Sequence, residues 1–289
     1  MLNARKPRLI KAWTIRGCLL VFLAILCGTL YAFQRPFREY PGIEYNDFPL
    51  PADWQRPSEF VFARLMYRPR AGGFGFGFGG YSAQTWQQGH SMWTQDYPRA
   101  DRHFLRAIRR LTRIDSRSVE QPVNLNDGDD VYNWPFLYAV QTGQWELTDN
   151  QAAKLRDFLL RGGFFMCDDF WGRNQWDSFM ASMGRVYPEQ IPSDLADAAP
   201  IFHTVYDLDR RYQVPGARYL YTGSMEKCAG CPPQWRGISD EKGRVIAGII
   251  PNSDIGDSWE YADDPHYEER FSALGIRIGV NYIVYAMTH

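Results

Sequence analysis

The stretch Leu147–Gly172, LTDNQAAKLRDFLLRGGFFMCDDFWG, constrains the fold of this chain more than any other. Thr148 and Gln151 stand in the spacing of a capping box, and Leu155, Phe158 and Leu159 give the following helix an apolar face. Gly162 and Gly163 then stop it, and Phe164–Cys167 is apolar throughout, as a strand buried on both faces must be. A helix joined by short links to apolar strands is the signature of a parallel α/β sheet.

The flanking text continues that pattern. Residues 59–68 (EFVFARLMYR), 118–125 (SVEQPVNL) and 134–140 (WPFLYAV) read as strands. Residues 199–208 (APIFHTVYDL) and 217–224 (ARYLYTGS) also have strand-like runs. Residues 235–250 predict a hairpin that turns near Lys242-Gly243. A helix is expected from Pro98, with Phe104, Leu105, Ile108 and Leu111 on one face and Asp96 as a cap. Phe271, Leu274, Ile278 and Ile283 mark a long C-terminal helix. The expected class is α/β, with an open, mostly parallel sheet and helices on both faces.

Residues 1–33 carry Arg5, Lys6, Arg8, Lys11 and Arg16 and no acid, while the rest of the 289-residue chain holds 27 basic against 33 acidic side chains. A mildly acidic body without a basic cluster points away from nucleic acid. The basic lead precedes an uncharged apolar run, Gly17–Phe33, whose 17 residues match the short end of a membrane span. The positive flank predicts a cytoplasmic N-terminus and an exported body. Leu30 fits a small-x-small cleavage rule poorly, so an uncleaved anchor is favoured over a cleaved signal. The expectation is a single-pass protein of the inner membrane, held by residues 17–33, with its main domain in the periplasm or outside. Cleavage would make it secreted. Residues 1–33 are read as anchor or signal, 34–58 as a Pro-rich tether or surface wrap, and 59–289 as one α/β domain.

No cofactor is expected. The Gly-aromatic loop at 71–82 contains G-x-G patterns but lacks the strand–loop–helix spacing of a phosphate cradle. The lone CxxC at Cys228 and Cys231 has no second pair of metal ligands, and in an oxidising compartment a local disulfide is expected. No metal site is assigned. His203 reads as a hydrogen-bonded structural residue.

Ligands of open α/β sheets gather at the carboxyl ends of strands. Arg68, the cluster Asp127, Asp129 and Asp130, and the pair Asp168 and Asp169 all fall at such ends. The aspartate pair can bind a ligand, hold a divalent ion with the Asp127–Asp130 cluster, or cap the next helix. Cys167, with His266 and Glu268 downstream, repeats the order of a Cys-His-Glu triad. The nucleophile elbow is missing, however, because Met166 and Asp168 flank the thiol where small residues are needed.

The segments WTQDYPRADRHFLRAIRRLT, WPFLYAV, LRDFLLRGGFFMCDDFWG, APIFHTVYDL and LGIRIGVNYIVYAMT together resemble the bacterial domain-of-unknown-function 4159 family over residues 59–289. That resemblance implies a flavodoxin-like architecture similar to class I glutamine amidotransferases and ThuA-like proteins, and implies no reaction. The family's W…DYP motif falls on Trp93, Asp96, Tyr97 and Pro98, and its GGF…DD motif on Asp168 and Asp169. The expected ligand pocket therefore holds Arg68, Asp96, Tyr97, Asp168, Asp169 and Trp171. The expected function is non-catalytic binding of an envelope saccharide or protein, with a Cys167/His266/Glu268 or aspartate–metal hydrolase as the alternative.

Overall fold

Short apolar runs between turns lie side by side as parallel strands, because each can bury both faces only between two layers of helices. The computed structural model of the protein describes residues 35–70, 84–225, 227–228 and 230–289. The strands are β1 (Ala63–Met66), β2 (Arg68–Pro69), β3 (Gln121–Asn124), β4 (Phe136–Val140), β5 (Trp145–Glu146), β6 (Phe164–Asp168), β7 (Ser193–Asp194), β8 (Arg236–Ser239) and β9 (Val245–Ile250). Seven form one sheet in the order β3-β1-β4-β6-β9-β8-β7, while β2 and β5 make a separate antiparallel pair. Neighbours from β3 to β9 run parallel, and β8 and β7 extend the edge antiparallel. The helices are α1 (Arg99–Leu111), α2 (Asp149–Leu160), α3 (Gly172–Val186), α4 (Arg218–Thr222), α5 (Ile255–Glu260) and α6 (Glu269–Thr288).

Strand alternation sends successive side chains into two separate cores. Leu137, Ala139, Phe165 and Cys167 meet α2 and α3 through Leu155, Phe158, Phe179 and Met183. Phe136, Tyr138, Phe164 and Met166 face the other way, onto α1, α5 and α6. There Phe104 stacks on Trp259 with centroids 4.1 Å apart. The capping box at Thr148 and Gln151 forms as its spacing predicts. The 235–250 hairpin also forms, with Gly243 turning at φ 80°.

Four local expectations fail. Residues 199–208 make a 3-10 turn at Pro200–Phe202 instead of a strand, and residues 217–224 contain the short helix α4. Ile201 and Phe202 are buried in the core that α6 shares, so their apolar character serves helix packing. Leu111 is 49% exposed, at the last turn of α1 beyond the core contact. Asp96 does not cap α1 with its side chain; Pro98 is the N-cap residue, and the Asp96 carbonyl accepts from Ala100 N–H.

Two buried arginines organise the carboxyl edge of the sheet. Arg64 of β1 is fully buried and donates Nε and Nη2 to the two oxygens of Asp101 at 2.7 and 2.6 Å. Its Nη1 donates to the carbonyls of Trp93 and Gln95, both at 3.1 Å, and so fixes the loop that carries Asp96. Arg102 pairs with buried Glu120 and also reaches Glu39 and the Phe48 carbonyl at 2.8 Å, pinning residues 39–48 over α1. Among the described residues no helix is long and apolar enough to cross a membrane, and the run 17–33 lies outside them.

Removing one partner of a buried, hydrogen-bonded pair strands the other charge. Arg64→Met is expected to cost about 3–5 kcal/mol in urea unfolding, and Arg64→Met with Asp101→Leu to cost clearly less. An equal or larger loss in the double variant contradicts the pair as the source.

Candidate functional site

The strands that end at the site each stop in a left-handed residue: Gln141 after β4 (φ 50°), Asp169 after β6 (φ 52°) and Asn252 after β9 (φ 61°). Asp96, in the loop held by Arg64, is left-handed as well, at φ 60°. Non-glycine residues pay roughly 1–3 kcal/mol for such sparsely populated backbone, which turns the chain sharply at the sheet edge. Asp and Asn tolerate it best, because their short side chains bond locally.

Asp168 lies on the α5 side of the sheet and is fully buried. Its Oδ1 accepts from Tyr138 Oη at 2.7 Å, and its Oδ2 accepts from the backbone N–H groups of Ile255 and Gly256. Asp168 therefore caps α5, a helix that follows a different strand, while the next helix, α3, has no side-chain cap. Burial pushes its carboxyl up from 3.8 to about 7, helped by the charge of Asp254 and opposed by those three bonds.

Asp169 turns away and accepts from Trp171 Nε1 at 2.7 Å and from Lys227 Nζ at 2.5 Å. Lys227 Nζ also donates to Asp254 Oδ2 at 2.7 Å. Asp254 is the side-chain N-cap of α5 and accepts from Asp257 N–H at 2.9 Å. Asp257 Oδ2 accepts from Ala217 N–H. Gly256 and Gly216 permit this crowding: a Cβ on Gly256 would lie 2.3 Å from Asp96 Oδ2, and one on Gly216 would lie 2.5 Å from Asp254 Oδ2.

Residues 44 and 45 form the roof. Glu44 accepts from the backbone N–H of Asp96 at 2.9 Å and from Gln95 Nε2. Tyr45 Oη donates to Glu260 Oε1, and Arg99 donates to Tyr45 Oη at 3.0 Å. Beneath them, oxygens of Asp96, Asp254 and Asp257 lie within 4.8 Å of one another, as do oxygens of Glu44, Asp96 and Glu260. Asp96 Oδ2, Asp257 Oδ1 and Glu260 Oε2 are buried with no hydrogen-bond partner.

Negative charge dominates the electrostatics. Burial and the neighbouring Asp254 raise Asp96, Asp169 and Asp257 well above the usual carboxylate range. Burial pushes Glu260 up to about 7, with Glu44 adding to it. Burial opposes ionisation of Asp254 too, but the Lys227 ammonium outweighs it and holds Asp254 below its usual value. The same aspartates hold Lys227 firmly protonated against its burial. Its side chain is 29% exposed, so it sits where the cluster meets solvent.

Of the pocket residues expected from sequence, Asp168, Asp169 and Trp171 come together, and Asp96 joins them through the Asp254–Asp257 cluster. Tyr97 is buried beside the loop and accepts from Tyr40 N–H at 3.2 Å. Arg68 stands apart, 4.0 Å from Glu146 at the surface. Within the Asp127–Asp130 group, Asp129 pairs with Lys154 and Asp130 accepts from Trp134 Nε1, so these serve their own loop and helix. His203 bonds Asp207 and the Asp197 carbonyl. Cys228 and Cys231 are joined by a disulfide, and both sulfurs lie 3.6 Å from where a Cβ on Gly172, at the start of α3, would stand.

The triad residues do not meet. Cys167 is fully buried on the α2–α3 side of the sheet, opposite to Asp168. Burial raises its thiol far above the range of a nucleophilic thiolate. His266 is 83% exposed and bonds Asp264, while Glu268 pairs with Arg270.

Asp254, Asp257, Glu260, Lys227 and Glu44 escape the sequence reading. The segment PNSDIGDSWE, straight after the β9 strand, repeats the signal of Asp168-Asp169 after β6: acids following a buried parallel strand. The family model described as Domain of unknown function (DUF4159) matches residues 83–287. The chain belongs to the DUF4159 family. No curated protein matches it. In this DUF4159 member the matched segment supplies Asp96, Asp168, Asp169, Lys227, Asp254, Asp257 and Glu260, whereas Glu44 lies outside it.

Two outcomes test this description. Because the folded-state value of Asp168 lies above its unfolded value, its stabilising contribution is complete below pH 3.8 and is lost as pH rises to about 7. In a chelator, unfolding free energy is expected to fall from pH 5 to 8, with Asp168 contributing about 2–3 kcal/mol of the fall beside the other raised acids, and Asp168→Asn to reduce the slope by that share. Peptide mapping after iodoacetamide treatment is expected to find Cys167 unmodified in the native chain and alkylated after denaturation. Rapid native labelling contradicts its placement.

Proposed function

We propose that this DUF4159 chain is an exported, membrane-anchored α/β domain that binds a positively charged ligand at the carboxyl edge of its sheet and does no thiol chemistry. The observation that carries the reading is the charge balance among the described residues: seven acids, Glu44, Asp96, Asp168, Asp169, Asp254, Asp257 and Glu260, converge around the ammonium of Lys227, while Arg64 is already paired with Asp101 and Arg99 bonds Tyr45 and Asp263. A buried carboxylate is stable only when paired, protonated or bound to a cation. Three unpartnered oxygens show where the internal partners run out.

The architecture supports the same place. Counting only the parallel strands in chain order, the sheet runs 2-1-3-4-5, the order of flavodoxin-like folds, whose ligands sit outside the carboxyl ends of the strands. The glutamine amidotransferase-like assignment rests on that order and on the family resemblance. Anchoring rests on the basic, then apolar, N-terminal sequence. Export sets the ligand class: a metal ion or an amine-bearing component of the envelope, in preference to a neutral saccharide.

The full-length chain in detergent is to be titrated with Mg2+, Ca2+, Mn2+ and 1,4-diaminobutane while its thermal unfolding is followed. At saturation at least one is expected to raise Tm by about 5 °C or more. Asp254→Asn is expected to lose that shift. No shift with any cation sinks the reading.

A further inference from the structure

Resting on the reading of the acidic cluster as a binding site, we infer that Asp96, Asp254 and Asp257 form a site for one hard divalent cation, with Lys227 as a tethered competitor for it. The three carboxylates come from two separate places, the loop before α1 and the N-terminal end of α5, and an oxygen of each lies within 4.8 Å of the others. Oxygens that ligate one Ca2+ at about 2.4 Å sit no more than about 4.8 Å apart. The set contains oxygen donors alone, which favours Mg2+, Ca2+ or Mn2+ over zinc or copper.

A second observation is independent of the clustering. Asp96 Oδ2 and Asp257 Oδ1 are buried and lack any hydrogen-bond partner, although Asp96 is only 1% and Asp257 only 4% exposed. Buried polar atoms are otherwise nearly always satisfied. The neighbouring aspartates differ: both oxygens of Asp168 have donors, and both of Asp254 have one. Asp96 Oδ2 and Asp257 Oδ1 thus stay open as acceptors, although Asp257 Oδ2 accepts from Ala217 N–H, and a cation bound by these carboxylates would supply what they lack.

Lys227 explains how the site is held when no ion is bound. Its ammonium reaches Oδ2 of Asp254, one of the three ligand residues, together with Asp169, which is outside the ligand set. A divalent ion carries twice the charge and attracts three carboxylates instead of two, so it competes for Asp254 while Asp169 retains the ammonium. Lys227 lies one residue before Cys228, which is bonded to Cys231. The partial exposure of its side chain marks the way in.

The test uses the full-length chain in detergent, stripped with EDTA and titrated with Mn2+ by electron paramagnetic resonance, with Mg2+ and Ca2+ as competitors. One Mn2+ per chain is expected, displaced by Mg2+ or Ca2+. Asp96→Asn and Asp257→Asn are each expected to weaken binding by about tenfold or more. Lys227→Met is expected to tighten it by about tenfold, which loss of a merely structural lysine would not do. Should the Asn variants fail to fold, the wild type and Lys227→Met decide. No Mn2+ uptake by wild type at millimolar concentration, or unchanged affinity in Lys227→Met, overturns the inference. Stabilisation by 1,4-diaminobutane without Mn2+ uptake removes the metal site and leaves the cation-binding reading standing; a blank from both removes both.

Discussion

A guanidinium with no access to water, Arg64, sets the geometry on which the rest of the structure depends. Taking that charge out of water costs several kcal/mol, and only near-complete pairing offsets it. The pairing is spread over two elements: α1, through Asp101, and the preceding loop, through the carbonyls of Trp93 and Gln95. Those carbonyls have no freedom to move without leaving the charge unpaired. The loop is thereby locked against β1, and Asp96, next along the chain, is delivered to the sheet edge in a left-handed conformation. The neighbouring residue on α1, Arg102, does the same for the segment above the site. One helical turn thus anchors both the wall and the roof.

The site itself is the opposite case. At the arginines, each buried charge meets its complement; at the carboxyl edge, acids outnumber bases and several oxygens have no donor. Left-handed turns at Asp96 and Asp169 add backbone strain in the same few ångströms. What sets this edge apart is that its unpartnered atoms are carboxylate oxygens gathered in one place, whereas the other buried atoms without a partner, such as Thr142 Oγ1 and Tyr282 Oη, are scattered hydroxyl and N–H groups.

Much of the scaffold was legible. The capping box and its Leu155, Phe158 and Leu159 face, the Gly162–Gly163 stop, and the apolar β6 run each follow from local chemistry, and the parallel sheet follows from them. Asp168 and Asp169 were visible as a strand-end pair, but their division of labour was not. Adjacent residues in a strand point to opposite sides, and the turn after Asp168 sends one acid to cap α5 and the other to Lys227. Asp254 and Asp257 were missed because a hairpin precedes them and their segment reads as a turn. Glu44 was hidden in a Pro-rich stretch without periodicity, where nothing local announces a contact 52 residues away. The false strands at 199–208 and 217–224 have apolar residues whose partners lie on helices, and alternation alone cannot tell those from sheet neighbours.

The roof contact between Tyr45 and Glu260 joins residues 215 apart, and the cap from Asp168 to Gly256 spans 88. In the unfolded chain these carboxylates are spread along most of its length and hardly sense one another across a screening solvent. Their repulsion comes into being only as the long-range contacts close, and the β6–β9 pairing that builds the sheet is itself one of these. The electrostatic cost of the acidic edge is therefore a property of the folded chain alone, set against stability by the same long-range contacts that hold the sheet together.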